Sequence, residues 1–117
     1  MYAQLGYFNG PRSAEQLAAA ERATRERLWP ALERDPRLMA ELVANYVLRQ
    51  PDGGEVVVTI GQTLDALNRG FELVASTELL PGEDPALLPG PDRVEMYEVV
   101  DARTSARADP QEMTTHA

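Results

Sequence analysis

The order in which hydrophobic patterns follow one another constrains this chain more than any other feature. Residues 2–101 carry the patterns of a strand, a helix, two strands, a helix and a strand, with short connections between them. This β-α-β-β-α-β order places both helices on one face of a four-stranded antiparallel sheet. The predicted fold class is therefore α+β, with one face of the sheet covered by helices and the other face uncovered.

Four short runs predict the strands. Residues 2–9 are rich in aromatic side chains, and residues 93–100 close the pattern. Residues 42–50 and 55–60 are rich in β-branched and aromatic side chains and flank the turn sequence Pro-Asp-Gly-Gly at residues 51–54. That combination predicts an antiparallel hairpin.

Capping residues predict where the two helices begin. Ser13 lies three residues before Gln16, which is the spacing of a capping box, and Thr63 is the expected cap of the second helix. Pro30 lacks an N–H donor and its ring clashes with the preceding turn of a regular helix. We therefore expect the first helix to break near Trp29, with a short turn at residues 31–33 and an exit through Asp35 and Pro36.

Length and composition indicate one domain, which we place at residues 1–102, followed by a flexible tail at residues 103–117. The proline-rich residues 79–92 also contain four leucines, so we expect an ordered loop held by apolar contacts. The sequence shows no leader pattern, and no apolar run approaches the ~20 residues of a membrane span. We therefore expect a cytoplasmic protein that does not contact membranes.

Two features of composition exclude whole classes of function. The chain has no Cys, which excludes disulfides, thiolate metal sites and Cys nucleophiles. Its formal net charge is −8, with 19 acidic and 11 basic residues and no basic stripe. Because such a surface repels phosphate backbones, nucleic acid is not expected as a partner.

Alternation along each strand predicts which side chains share a face of the sheet. We assign the apolar row Val56, Val58 and Ile60 to the helix side. The uncovered face is then predicted to hold Tyr2, Gln4, Phe8, Val43, Asn45, Val47, Arg49, Val57, Thr59, Arg93, Glu95, Tyr97 and Val99. Its projected area is on the order of 400 Å², a size at which a largely apolar patch marks an interface. We expect a homodimer formed through this open sheet face.

Four segments carry a further resemblance: the opening strand, the helix end at residues 27–32, the hairpin turn at residues 51–54 and the closing run at residues 95–100. Together they resemble the dimeric α/β-barrel superfamily, and within it the antibiotic-biosynthesis-monooxygenase-like group. The resemblance implies a ferredoxin-like subunit that pairs sheet to sheet into a dimeric α/β barrel, with a ligand cavity between sheet and helices. Members of the superfamily include cofactor-free oxygenases that act on polyphenols or quinols, haem-degrading enzymes and polyketide cyclases.

The haem-degrading branch is disfavoured, because the only His of the chain is His116 in the predicted tail. We expect no cofactor and no metal. Glu78, Glu83, Asp84 and Asp92 lack any recognised cation-loop spacing, so a solvated acidic loop is the favoured interpretation.

The polar side chains of the predicted open face form the candidate site. Tyr97 and Glu95 are the candidate proton donor and acceptor, since burial raises the pKa of a carboxyl group. The candidate ligand-binding residues are Gln4, Asn45, Arg49, Thr59 and Trp29. The simpler alternatives are a salt-bridged, hydrogen-bonded set at the dimer seam and, for Trp29, a core residue at a helix end.

Two classes of function follow. The first is a cofactor-independent monooxygenase-like enzyme acting on a small aromatic or polyketide-like substrate. The second is a non-catalytic dimer that binds a small ligand or has a regulatory role.

Overall fold

Four antiparallel strands form one sheet in the computed structural model, which describes residues 1–105. The strands are β1 (Tyr2–Phe8), β2 (Leu42–Arg49), β3 (Glu55–Gly61) and β4 (Arg93–Glu98). Their spatial order is β2-β3-β1-β4, so the first strand of the chain lies inside the sheet. This order and the helices between the strands confirm the predicted ferredoxin-like α+β fold.

The helical segments lie between β1 and β2 and between β3 and β4. They are α1 (Ala14–Ala23), a π-helical turn (Thr24–Leu28), α2 (Trp29–Glu33), α3 (Pro36–Glu41) and α4 (Leu64–Ala75), with a 3-10 turn at Pro85–Leu87. None of the helices within residues 1–105 is long and apolar enough to cross a membrane.

Both predicted caps are present. The Gln16 amide donates to the Ser13 hydroxyl at 3.1 Å, and the Ser13 amide donates to the Gln16 side-chain oxygen at 2.8 Å. The Ala66 amide donates to Thr63 Oγ1 at 3.1 Å. Each cap satisfies amides that have no partner within the first turn of a helix, so it fixes where the helix begins.

The predicted helix break near Trp29 is wrong. The Trp29 amide donates to the carbonyl of Thr24, five residues earlier, so the helix widens into a π-turn and continues through α2 to Glu33. In a regular α-helix, the ring of Pro30 would collide with the carbonyl four residues before it. The wider turn relieves that clash, which is why the helix tolerates Pro30.

The predicted exit at Asp35 and Pro36 is instead the start of α3. Asp35 Oδ1 accepts the Leu38 amide at 3.0 Å, and Pro36 occupies the first turn, where its missing N–H group costs little. The Leu38 amide and the Arg69 guanidinium lower the pKa of Asp35, which keeps the cap ionised. Leu38 is fully buried against α4, together with Leu67 of that helix.

The hydrogen bonds of Arg49 and Glu55 show which face of the sheet meets the helices. Arg49 and Glu55 are directly paired across β2 and β3, and Arg49 Nη2 donates to Glu21 Oε1 of α1 at 3.0 Å. Directly paired residues of antiparallel strands point to the same side. The helix-covered face therefore carries Tyr2, Gln4, Gly6, Phe8, Asn45, Val47, Arg49, Glu55, Val57, Thr59, Gly61, Val94, Met96 and Glu98.

The face prediction is consequently wrong for β1, β2 and β3 and correct for β4. The uncovered face carries Ala3, Leu5, Tyr7, Ala44, Tyr46, Leu48, Val56, Val58, Ile60, Arg93, Glu95 and Tyr97. The prediction gave the most apolar row of β3 to the helices. In the structure the helices cover the more polar face, where Asn45 and Thr59 bond to each other and Arg49 bonds to Glu55.

The predicted domain at residues 1–102 falls within the described part of the chain. The tail predicted at residues 103–117 is described only as far as residue 105, so the rest of it, including His116, lies outside the described residues.

The hairpin turn approaches the β1–α1 connection closely at Gly53. Gly53 is buried with φ +90°, and a Cβ atom there would lie 2.6 Å from the backbone oxygen of Arg12. We predict that Gly53→Ala lowers the free energy of unfolding by about 1–3 kcal/mol, because it adds a steric contact to backbone strain.

Gly90→Ala is the matched control, since Gly90 has φ +82° but no atom within 4 Å of the added methyl group. Urea unfolding of both variants measures the difference. Equal losses of unfolding free energy in the two variants would show that the contact with Arg12 adds nothing to the backbone strain.

Candidate functional site

A large cavity lies between the helix-covered face of the sheet and the helices. Its volume is about 1090 Å³, and it is lined by side chains from the sheet, α1, the π-turn, α4 and the α4–β4 loop. Its apolar wall includes Phe8, Leu28, Trp29, Val57, Phe71 and Leu88. A mostly apolar cavity of this size with a few polar groups is typical of small-molecule sites.

The cavity is long. Arg12 lies just before the start of α1, Trp29 follows the π-turn, and both line the cavity. At about 1.5 Å per residue, the helix between them separates the two positions by roughly 20 Å. A ligand that contacts both ends must therefore be elongated.

Two arginines and one buried glutamate form the polar end of the cavity, which we call the arginine end (Arg12, Arg49 and Glu55). Arg12 Nη1 donates to Glu55 Oε1 at 3.1 Å, and Arg49 Nε donates to Glu55 Oε2 at 2.6 Å. Glu55 is 8% exposed. The carboxylate is thus held by a different guanidinium on each oxygen, which fixes the position of both cations.

Arginine side chains remain charged in folded proteins. The hydrogen bonds to Glu55 and Glu21 raise the pKa of Arg49 further above an already high value. The Arg12 guanidinium lies over the Phe8 ring, 5.2 Å from its centroid, a cation–π contact that restrains the side chain. The arginine end therefore supplies fixed positive charge and hydrogen-bond donors.

A second buried ion pair closes the cavity on the side of the α4–β4 loop. Arg27 of the π-turn donates from Nε to Glu83 Oε1 at 2.8 Å and from Nη2 to Glu83 Oε2 at 3.3 Å. Its Nη1 atom donates to Thr77 Oγ1 at 2.6 Å, and the Leu80 amide donates to Glu83 Oε1 at 2.7 Å. The Glu83 side chain is only 2% exposed. These bonds attach the loop to the helix.

The hydrogen bond from Arg27 lowers the pKa of Glu83, and the Leu80 amide adds to that effect. The acidic loop predicted from the sequence is thus not simply solvated. Asp84 caps the 3-10 turn through the Ala86 amide, and Asp92 accepts the Asn9 amide at 2.7 Å.

A smaller depression of about 490 Å³ adjoins the cavity. Arg27 and Thr77 line both spaces. The contact between these two side chains therefore borders the cavity and the outer depression alike.

The structure brings some of the predicted ligand-binding residues to the cavity. Arg49 and Trp29 line it. Gln4, Asn45 and Thr59 share the same face of the sheet but are not among the described residues that line the cavity. Asn45 Nδ2 donates to Thr59 Oγ1 at 2.8 Å, so these two side chains satisfy each other.

Tyr97 and Glu95 lie on the opposite, uncovered face of the sheet. The hydrogen bond to Glu95 and the charge of its carboxylate raise the pKa of Tyr97 above its ordinary value of 10.0. The phenol therefore stays protonated at neutral pH, where it can donate or accept a hydrogen bond but does not act as a base. Arg93 lies beside this pair, 4.1 Å from the centroid of the Tyr7 ring.

Sequence reasoning missed Arg12 and Glu55 as cavity residues. Glu55 had a local signal, because a hairpin closed by residues 51–54 pairs Arg49 with Glu55 across the strands. Arg12 had none. It reaches Glu55 only because β1 pairs with β3, a contact between segments far apart in the chain.

Comparisons with known proteins support the assignment of the fold. No protein-family model matches the chain, and no curated protein matches it. Among solved structures, the chain is similar to a "putative antibiotic biosynthesis monooxygenase" from Deinococcus radiodurans, with a TM-score of 0.55 and 18% identity over 90% of this chain and 98% of that one.

It is also similar to a dimeric ferredoxin-like protein from an uncultured marine organism, with a TM-score of 0.52 and 12% identity over 89% of this chain and 90% of that one. At these identities the likeness shows a shared fold. The resemblance to the dimeric α/β-barrel superfamily, predicted from the sequence, is confirmed at the level of the ferredoxin-like fold.

The Arg27–Glu83 pair predicts a defined pH dependence of stability. Because the folded state lowers the pKa of Glu83 from its ordinary value of 4.5, the stabilisation is complete above that value and is lost as the pH falls below it. We predict that Glu83→Gln lowers the free energy of unfolding by about 1.5–3 kcal/mol at pH 7. The difference from the parent protein should shrink below about pH 4.5.

Glu26→Gln is the control, because Glu26 pairs with Arg22 at the surface and both side chains are well exposed. It should change stability by no more than about 0.5 kcal/mol at any pH. Denaturant unfolding at several pH values measures both variants. If the loss of unfolding free energy in Glu83→Gln did not depend on pH, the ionised Arg27–Glu83 pair would not be its cause.

Proposed function

We propose that this chain is a cofactor-independent monooxygenase-like enzyme that binds a small aromatic or polyketide-like substrate in the cavity, works as a homodimer and resides in the cytoplasm. The observation that carries the proposal is the cavity of about 1090 Å³ with aromatic walls and a charged end. The fold shared with the "putative antibiotic biosynthesis monooxygenase" of Deinococcus radiodurans supports it.

In this proposal the substrate, and not the protein, supplies the electrons for the reaction. In the proposed reaction an electron-rich anthrone or hydroxyquinol reduces O₂ directly. For an anthrone, the ring CH₂ group loses two hydrogens and becomes C=O, one oxygen atom of O₂ enters the product, and the other leaves as water. The protein would bind the substrate, exclude bulk water and stabilise the anion that forms when the substrate loses its first proton.

The arginine end is the part of the cavity suited to that stabilisation. Its two guanidinium groups are fixed by Glu55 and remain charged, so a phenolate or enolate oxygen beside them would be favoured. Trp29 and Phe71 provide apolar surface for the rings of the substrate.

One observation favours the alternative of a non-catalytic binding protein. Both arginines at this end are hydrogen-bonded to Glu55, and an arginine side chain does not act as a base in proteins. The roles predicted for Gln4, Asn45 and Thr59 remain predictions, as do those of Tyr97 and Glu95.

Tyr97 and Glu95 need a separate test, because they face away from the cavity. Tyr97→Phe removes only the hydroxyl group. A loss of turnover would indicate proton transfer between the two sheets of a dimer, whereas unchanged turnover would assign the chemistry to the cavity alone.

Oxygen uptake tests the enzyme proposal. Purified protein should consume O₂ faster than buffer with at least one member of an anthrone and hydroxyquinol panel. We predict that Val57→Phe, which adds a ring to the cavity wall, lowers that rate about tenfold or more, because small displacements of a bound substrate are costly.

The matched control is Val43→Phe, since Val43 is exposed on β2 and does not line the cavity. It should leave the rate within about twofold. Uptake indistinguishable from buffer across the panel would support the binding protein instead.

The uncovered sheet face supports the homodimer. Apart from Arg93 and Glu95, its side chains are apolar or aromatic, and Tyr46 and Leu48 are 48% and 54% exposed in the single chain. An apolar patch of this kind on an isolated subunit marks an interface. A second copy of the same sheet offers a complementary apolar surface, and two such faces can close a barrel.

Sedimentation tests the homodimer. The chain should sediment as a dimer at micromolar concentration, and Leu48→Glu should raise the dissociation constant at least about tenfold, because it buries a charge at the interface. Leu64→Glu is the control, since Leu64 is also exposed but lies on α4. A particle of the mass of one chain, 12.9 kDa, would contradict the proposal.

A further inference from the structure

We infer that the arginine end selects ligands that carry an anionic oxygen group, and that the cavity takes an elongated carboxylic acid with an apolar or aromatic body. This inference rests on the proposed function in one respect, namely that the cavity is the ligand site. It goes further, because it assigns the charge of the ligand, its orientation and Arg12 as the residue that recognises it.

The first argument is the balance of buried charge. Two guanidinium groups meet a single buried carboxylate, and the Arg12 and Glu55 side chains are 11% and 8% exposed. The other partner of Arg49 is Glu21, which is 59% exposed and screened by solvent. Arg49 is itself 44% exposed, so the buried charges are those of Arg12 and Glu55. Because Glu55 divides its carboxylate between two guanidinium groups, Arg12 has only a share of one buried counter-charge, and a ligand anion would complete its neutralisation.

The second argument is the number of free donors. Arg12 has five guanidinium N–H groups, and within residues 1–105 only one of them has a hydrogen-bond partner, the Glu55 carboxylate. Arg12 lines the cavity, so its remaining donors are available to a ligand there. A carboxylate accepts two parallel hydrogen bonds from such a group, which a neutral amide or ester cannot do equally well.

The third argument is that Arg12 is held in place before any ligand arrives. Its amide donates to the Asp52 carbonyl at 2.9 Å, and its guanidinium is fixed between the Phe8 ring and Glu55. A restrained donor loses little conformational entropy on binding.

The length of the cavity gives the orientation. With the acid group at Arg12, the body of the ligand extends along α1 towards Trp29 and Phe71. Asp92 also lines the cavity, and one of its carboxylate oxygens, Oδ2, accepts the Asn9 amide.

The net charge of the chain makes the inference easy to test. At −8 the protein as a whole repels anions, so a preference for an acid over a neutral analogue must come from a local cation. Anthracene-2-carboxylate and anthracene-2-carboxamide have nearly the same shape and differ in charge. Their affinities for the protein can be measured by calorimetry and by the fluorescence of the anthracene ring.

We expect the parent protein to bind the carboxylate about tenfold or more tightly than the carboxamide. Arg12→Gln should reduce that ratio to about one while leaving carboxamide affinity within about twofold. Arg49→Gln is a second variant with less risk to folding, because Arg49 is 44% exposed, and it should reduce the ratio in part. Arg37→Gln removes the same charge from exposed α3, outside the cavity, and should leave the ratio unchanged.

Equal affinity of the parent protein for the two probes would overturn the inference, as would a ratio that survives in folded Arg12→Gln protein. Failure of both probes to bind at millimolar concentration would overturn it too. The measurement needs no turnover. Absence of oxygen uptake together with a clear acid preference would reject the proposed oxygenase activity and leave this inference standing.

Discussion

The contact on which the rest of this structure depends is the Glu55 carboxylate held between Arg12 and Arg49. It joins the β1–α1 connection to both strands of the central hairpin, and through Glu21 it extends to α1. Replacing Glu55 would leave the buried Arg12 guanidinium without its carboxylate partner, whereas replacing one arginine leaves Glu55 paired with the other. The same bonds hold the hairpin against the β1–α1 connection and define the charged end of the cavity. Folding and the proposed recognition of a ligand therefore depend on the same side chains.

The sequence predicted the order of strands and helices along the chain, the hairpin and both capping residues, because these features are read from local patterns such as Ser13 with Gln16. It did not predict the face of each strand. Period-two alternation separates two rows of side chains but does not say which row is covered, and the prediction took the most apolar row as internal. In the structure, Val56, Val58 and Ile60 form the uncovered face, and the polar groups of the other face satisfy one another.

Because the faces of β1, β2 and β3 are the reverse of those predicted, the predicted site residues lie on both sides of the sheet. Arg49 and Trp29 both line the cavity, whereas Tyr97 and Glu95 lie on the opposite face of the sheet. Arg12 and Arg27 contribute through partners far away in sequence, Glu55 and Glu83, and no local pattern marks such residues. The π-turn likewise arises from the conflict between Pro30 and a regular helix, and Trp29, the residue before that proline, lines the cavity.

The position of Arg27 links the attachment of a loop to the shape of the cavity. Its side chain lines both the cavity and the outer depression of about 490 Å³, and it bonds to Glu83 and Thr77. Those bonds hold the α4–β4 loop against the π-turn. A change at this one side chain would therefore alter both spaces at the same time, although neither the sheet nor the arginine end takes part in the contact.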